Sequence, residues 1–189
     1  TAKTLTATAS ASNKVYDGTT TASVTLTFTG LVGDETLGQT VGATFADKNV
    51  ANAKTVTVNS ITLSDDGGLA DNYTISTGQT TTANITPKAL TIAGITASNK
   101  TYNGNTTATI DVSAATFSGL VVGDDVTVSA TGTFDNKNVG TGKTVTLVET
   151  NAGDDVGNYT ITDQGSTTAN ITAKTLTATA SASNKVYDG

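Results

Sequence analysis

The chain has no cysteine, histidine, methionine or tryptophan, and its only proline is Pro87. Without cysteine or histidine there is no thiol nucleophile, no imidazole base and none of the usual zinc or copper ligands. Disulfides cannot staple the fold. All ten basic residues are lysines, set against 16 acidic residues for a net charge of −6. With no guanidinium to fork onto phosphate, neither nucleic acid nor an anionic membrane is an expected partner. Aromatics make up 5% and apolar residues 36% of the chain, so its cores must be small and aliphatic. No stretch has the length or apolarity of a membrane span or the pattern of a signal peptide, so no membrane insertion by this segment is expected.

What is abundant is threonine, 44 of 189 residues, with 19 glycines. Threonine and valine are β-branched and suit a pleated, half-buried surface. The strongest pattern is repetition. Thr1–Gly18, "TAKTLTATASASNKVYDG", recurs letter for letter at Thr172–Gly189. Inside that long period lies a shorter one. "FTGLVGDE" (Phe28–Glu35) matches "FSGLVVGDD" (Phe117–Asp125), and "TFADKNVANAKTVTV" (Thr44–Val58) matches "TFDNKNVGTGKTVTL" (Thr133–Leu147). "DNYTIS" (Asp71–Ser76) answers "GNYTIT" (Gly157–Thr162), and "TTANIT" occurs at Thr81–Thr86 and Thr167–Thr172. The division this predicts is a β module over 3–87, a second over 88–173, and at 174–189 the first strand and turn of a third copy.

Segments such as "KTLTATAS", "TASVTLTF" and "KTVTVNSITL" alternate with period two, as half-buried antiparallel strands do, and no helical period is sustained. The fold class is all-β: two tandem antiparallel modules of about 85 residues forming an elongated rod. An immunoglobulin-like sandwich is favoured and a β-grasp-like sheet is the alternative. The triplets Tyr16-Asp17-Gly18, Tyr102-Asn103-Gly104 and Tyr187-Asp188-Gly189 read as tight hairpin turns. "STGQ" and "DQGS" suggest a second hairpin, and Tyr73 and Tyr159 of "NYT" resemble tyrosine corners. The joint "ANITPKALTI" has no glycine, which predicts a stiff connection.

Each of the nine aromatics has a counterpart in another copy, so Phe28, Phe45, Tyr73, Phe117, Phe134 and Tyr159 are expected in the core rather than on a ligand-stacking face. Asn103 keeps the turn propensity of Asp17 but not its charge, which argues for a turn over carboxylate chemistry. No catalytic residue and no cofactor is expected, and the chain does not read as an enzyme. Among the acidic pairs, which include Asp34-Glu35 and Asp124-Asp125, the candidate calcium ligands are Asp65, Asp66, Asp154 and Asp155. A solvated loop is the favoured reading, because none carries the spaced ladder of a calcium loop. Lys48 and Lys137, Lys54 and Lys143, and Asn49 and Asn138 recur at matching places, where an internal Lys–Asn isopeptide or Thr–Gln ester is a minor alternative. Thr-x-Thr strings raise ice binding only remotely, since small sheets twist too much for a flat array.

"ASNKVYDGTTTA" and "ASNKTYNGNTTA", followed by "KNV" and by "NYTI…TTANIT", together resemble the YDG-type modules, related to MBG repeats, of large bacterial exoproteins similar to filamentous haemagglutinin. The resemblance spans both modules. It departs at Asn103 and at "FADKNVANAK", where glycine is more usual. It implies a secreted or surface-anchored bacterial adhesin, in which such repeats form a stalk that spaces an adhesive region, and it supplies no catalytic residue. The expected partners are neighbouring repeats of the same chain and a host or surface ligand. The alternative function is a binding module that engages glycan or a host protein through loops such as Val32–Gln39 and Gly119–Thr127.

Overall fold

A computed structural model describes all 189 residues. The chain is all-β, with no α-helix and two single 3-10 turns at Ala70–Asn72 and Val156–Asn158. The first half carries β1 (Lys3–Thr4), β2 (Thr6–Ala11), β3 (Lys14–Val15), β4 (Thr21–Ala22), β5 (Val24–Thr29), β6 (Leu37–Phe45), β7 (Ala51–Asp65), β8 (Tyr73–Thr74) and β9 (Thr80–Thr86). The second carries β10 (Lys88–Ala93), β11 (Thr96–Ala97), β12 (Lys100–Thr101), β13 (Thr107–Ala108), β14 (Ile110–Asp111), β15 (Thr116–Ser118), β16 (Thr127–Phe134), β17 (Gly140–Ala152), β18 (Tyr159–Thr162) and β19 (Ser166–Thr172).

The chain forms two compact units whose limits are not those of the sequence repeats. The first unit comprises Thr1–Ile92, Thr116–Thr127 and Asn151–Asp163; the second comprises Ala93–Ala115, Val128–Thr150 and Gln164–Gly189. The first therefore holds the whole of β1–β9 together with loops and short strands from the second half.

The main sheet of the first unit has the order β3-β9-β7-β6-β4. Its centre is the β6–β7 hairpin, and β3 runs parallel to β9 at one edge. Alternation sets the burial: Val56 and Val58 of β7 point inward while Thr55 stays exposed. The β2–β5 ribbon packs its Ala7, Ala9 and Leu26 onto the sheet's Phe45, Val56, Val58 and Ile85. The Gln39 side chain stitches the edge of β5 to β6: its amide donates to Leu26 O at 2.8 Å and its oxygen accepts from Leu26 N–H at 3.0 Å. A smaller cluster of Leu5, Leu37 and Tyr73 lies under Phe28 and Leu31. The strands that the second half contributes form the sheet β15-β10-β18, in which β10 and β18 are parallel.

The second unit repeats the main sheet as β12-β19-β17-β16-β13, with β11 and β14 as a short antiparallel pair. Phe134, Val145 and Ile171 are buried there, as Phe45, Val56 and Ile85 are in the first. Gln164 bridges to both backbone groups of Ile95, at 2.7 and 2.8 Å.

Three local expectations are corrected. The Tyr-Asp-Gly turn is not a hairpin, because β3 and β4 stand at opposite edges of one sheet and the chain crosses between them. Only Gly18 of that pair has positive φ, at 78°, so the type I′ geometry is not adopted; Gly104 repeats this at 85°. "STGQ" and "DQGS" close no hairpin either: β8 pairs with β1 and β18 with β10, both in parallel. Finally, Lys174–Gly189 forms no strand, although the same letters form β1, β2 and β3 at the other end of the chain. A short strand exists only where partner strands receive it. Tyr187 is accordingly exposed, and only the local Lys185–Asp188 ion pair survives, at the same 2.7 Å as Lys14–Asp17.

One backbone position is strained. Ala53, at a bulge of β7, has φ 50°, while its counterpart Gly142 has φ 59°. Both N–H groups are held by an asparagine side chain, Asn84 and Asn170 respectively. A left-handed alanine costs roughly 1–2 kcal/mol, only partly offset by the greater entropy loss of a glycine. Ala53→Gly is therefore expected to stabilise the first unit by about 0.5–1 kcal/mol in a denaturant melt, and Gly142→Ala to destabilise the second by a similar amount.

Candidate functional site

The densest polar cluster lies inside the first compact unit, where residues from both sequence repeats meet. Lys48 stands in the turn between β6 and β7. Asp124 is in the loop before β16, and Asp155 directly precedes the 3-10 turn at Val156–Asn158. The Lys48 ammonium donates to Asp124 Oδ1 at 3.1 Å and Asp155 Oδ1 at 2.8 Å. The other Asp124 oxygen accepts the Tyr16 hydroxyl at 2.9 Å and the Tyr159 hydroxyl at 2.5 Å. The two rings meet edge to face, centroids 5.5 Å apart, and the ammonium lies 5.9 Å from the Tyr16 centroid. Asn158, the one fully buried polar residue, accepts from Val50 N–H at 2.9 Å and donates to Asn49 Oδ1 at 3.3 Å.

This cluster has the chemistry of a clamp. The Asp124 side chain is only 3% exposed, so its charge must be met from within. Burial alone would raise its pKa, but hydrogen bonds from Tyr159, Lys48 and Tyr16 hold it below the ordinary 3.8. The Lys48 ammonium, bonded to Asp155 and then Asp124, is held above its usual range. Burial, and then the bond to Asp124, pushes the Tyr159 hydroxyl up to about 12. Both tyrosine hydroxyls and the Lys48 ammonium are thus bonded to carboxylate oxygens.

Beneath the polar layer the core is continuous. Tyr16, Phe45 and Ile85 of the first repeat share one cluster with Leu90, Val126 and Tyr159 of the second. The joint between β9 and β10 is the single residue Pro87.

Each letter of the first Tyr-Asp-Gly triplet now has a separate task. Tyr16 is 1% exposed and joins the clamp. Asp17 closes its own turn, accepting from Lys14 at 2.7 Å and from Thr19 N–H at 2.9 Å. Gly18 leaves room for Val121, since a β-carbon there would come within 2.8 Å of Val121 Cγ1. In the second triplet Tyr102 is half-buried and Gly104 has open space around it. Asn103 accepts from Asn105 N–H at 3.3 Å.

The remaining sequence-derived residues fall as follows. Phe45, Phe134, Tyr73 and Tyr159 are buried, while Phe28 and Phe117 are half-buried against the core. Tyr73 and Tyr159 are not local corners: their hydroxyls accept from Val32 N–H and Val121 N–H, 41 and 38 residues away. Asp65 caps a turn by accepting from Ala70 N–H. Asp155 is committed to Lys48 and to Asp125 N–H, whereas Asp66 and Asp154 make no side-chain bond; no three acidic groups converge as a metal site would require. Lys54 and Lys143 are ion-paired with Asp47 and Asp135, at 2.6 and 2.7 Å. The Gly119–Thr127 loop turns the Asp124 side chain and Val126 into the junction, while Val122 at its tip is fully exposed. In the sequence Asp124 reads only as half of a solvated acidic pair, and neither it nor Asn158 is marked there as part of a joint. The signal in the sequence is that an acidic pair follows "GLV" in both repeats, as "GDE" and "GDD", and that "NYTI" occurs in both.

The family model of the YDG domain matches residues 1–83 and 86–169. The chain belongs to the YDG domain family. Comparison with curated proteins and with solved structures found no match. The two YDG matches meet within a few residues of Pro87, so the clamp joins one YDG domain to the next.

Proposed function

We propose that this pair of YDG domains is a structural spacer in a secreted or surface-anchored bacterial adhesin, without catalytic activity of its own. The observation that carries this reading is the clamp around Asp124. The residues best placed for chemistry are spent on fastening one repeat to the next, and the apolar core runs on beneath them. A spacer needs such fixed joints, because flexibly linked domains gain reach only as the square root of their number. The residue types present, lacking thiol and imidazole, favour mechanical continuity over catalysis.

Small-angle scattering on chains of increasing repeat number tests the proposal. A spacer adds a constant increment to the maximum dimension with each added repeat. Increments that shrink with repeat number would sink it, as would specific, high-affinity capture on a glycan array.

A further inference from the structure

The clamp has two halves. One is presented by the β3 end and the β6–β7 turn: Tyr16, Lys48, Asn49 and Val50. The other consists of Val121, Asp124, Asn158 and Tyr159. The sequence repeat places a second copy of each half elsewhere in the chain, and there both stand open.

The open receiving half is built from Val32, Glu35, Asn72 and Tyr73. It is already assembled: the Tyr73 hydroxyl accepts from Val32 N–H at 3.1 Å and donates to the Glu35 carboxylate, as Tyr159 does with Val121 and Asp124. Glu35, first, and then burial push the Tyr73 hydroxyl up, as Asp124 does for Tyr159. Around these groups lies an open cavity of about 450 Å³ whose lining includes Lys3, Val32, Glu35, Asp71, Asn72 and Tyr73. Val32 and Leu69 are 54% and 60% exposed, and the Asn72 side chain makes no hydrogen bond, whereas its counterpart Asn158 is buried and doubly bonded.

The open donating half is Tyr102, Lys137, Asn138 and Val139. Lys137 sits in the β16–β17 turn where Lys48 sits in the β6–β7 turn, but it has no carboxylate partner. The Tyr102 hydroxyl makes no hydrogen bond, and Val139 is 55% exposed. The charges are complementary: the donating face carries the Lys137 ammonium, and the socket lining carries the Glu35 and Asp71 carboxylates against the single side-chain cation Lys3. Both faces also carry apolar side chains of the kind the existing clamp covers.

We propose that the Val32–Glu35–Asn72–Tyr73 face is a docking socket for the Tyr102–Lys137–Asn138 face of another copy of this two-domain segment. The ligand class is thus the protein itself, joined head to tail. In the joint so formed Lys137 meets Glu35 as Lys48 meets Asp124, and Tyr102 stacks on Tyr73. The position of Asp155 is occupied by Leu69 in the aligned repeat, so Lys137 gains one carboxylate where Lys48 has two. Joints of this second kind therefore alternate with the first and hold their lysine less tightly. The proposal rests on the reading of the chain as a spacer.

The duplicated eighteen residues allow a seamless test, a longer chain in which residues 1–171 precede the complete 189-residue chain. Lys137→Arg in the last copy leaves a single Lys137, at the new joint. Acetylation by an N-hydroxysuccinimide ester consumes the neutral amine, so raising an ammonium's pKa by one unit slows it about tenfold. Lys137 is expected to acetylate about tenfold more slowly in the longer chain than in the 189-residue protein, yet faster than Lys48. Glu35→Gln at the new joint should restore most of the rate. Equal rates in the two chains would overturn the socket, and so would slowing that Glu35→Gln leaves untouched. If Lys137 is unprotected while the maximum dimension still grows by constant steps, the socket falls and the spacer stands. Protection without growth gives the reverse.

Discussion

Asp124→Ala is expected to lower the unfolding free energy of the first compact unit by about 3 kcal/mol, measured by urea titration of the whole chain. The substitution removes the shared acceptor of two buried tyrosine hydroxyls and one of the two carboxylates on Lys48. Leaving a buried donor without an acceptor costs about 1–3 kcal/mol. Breaking a buried ion pair costs about 3–5 kcal/mol, but the Lys48 side chain is 37% exposed and keeps Asp155, which places the effect at the lower end. Asp124→Asn retains an acceptor oxygen and should lose about half as much. Acidification is a second readout. A carboxylate whose folded pKa lies below its unfolded value stabilises the fold at pH above the unfolded value, and that contribution is lost as pH falls through the folded one. Asp124 and Asp155 are both held below 3.8, so the wild-type first unit should lose stability as pH drops below about 4, and Asp124→Ala should flatten that slope. An unfolding midpoint unchanged by Asp124→Ala would show that the clamp contributes nothing.

The second large effect separates two tyrosines that the sequence writes in the same motif. Tyr16→Ala is expected to cost about 3–5 kcal/mol, the range for truncating a fully buried aromatic. Tyr16 fills the seam between Phe45 and Tyr159 and is 1% exposed. Tyr102→Ala removes a half-buried ring whose hydroxyl is unbonded, and should cost only about 1–2 kcal/mol. Tyr16→Phe keeps the packing and loses one hydrogen bond, about 1 kcal/mol. Thermal melts of the three variants give the order directly, and equal losses for Tyr16→Ala and Tyr102→Ala would refute the assignment of Tyr16 to a joint.

The features legible in the sequence were those with short-range causes. The alternation in "KTVTV" does place Val56 and Val58 inward, and Gly18 and Gly104 do sit at turns with positive φ. Strand partnership was not legible, because it is settled by distant residues. β3 pairs with β9, some 71 residues on, and so the Tyr-Asp-Gly turn bridges two sheet edges instead of closing a hairpin. The acidic pair Asp124-Asp125 reads as solvated loop for the same reason: the Tyr16 hydroxyl that makes Asp124 a buried acceptor is 108 residues away. The clearest case is the duplicated segment, whose letters form strands at Lys3–Val15 and none at Lys174–Val186.

The mismatch between compact units and sequence repeats also bears on how such a chain acquires its structure as it is delivered end first. The first core cannot close when residue 87 emerges, because Leu90, Val126 and Tyr159 are part of it. Tyr16 waits for an acceptor at residue 124, and Asn49 for its partner at residue 158. Folding therefore trails emergence by most of a repeat. A chain that emerges from its N-terminus keeps about a repeat's length unlocked behind its leading end until Asp124, Asn158 and Tyr159 arrive to close the first core.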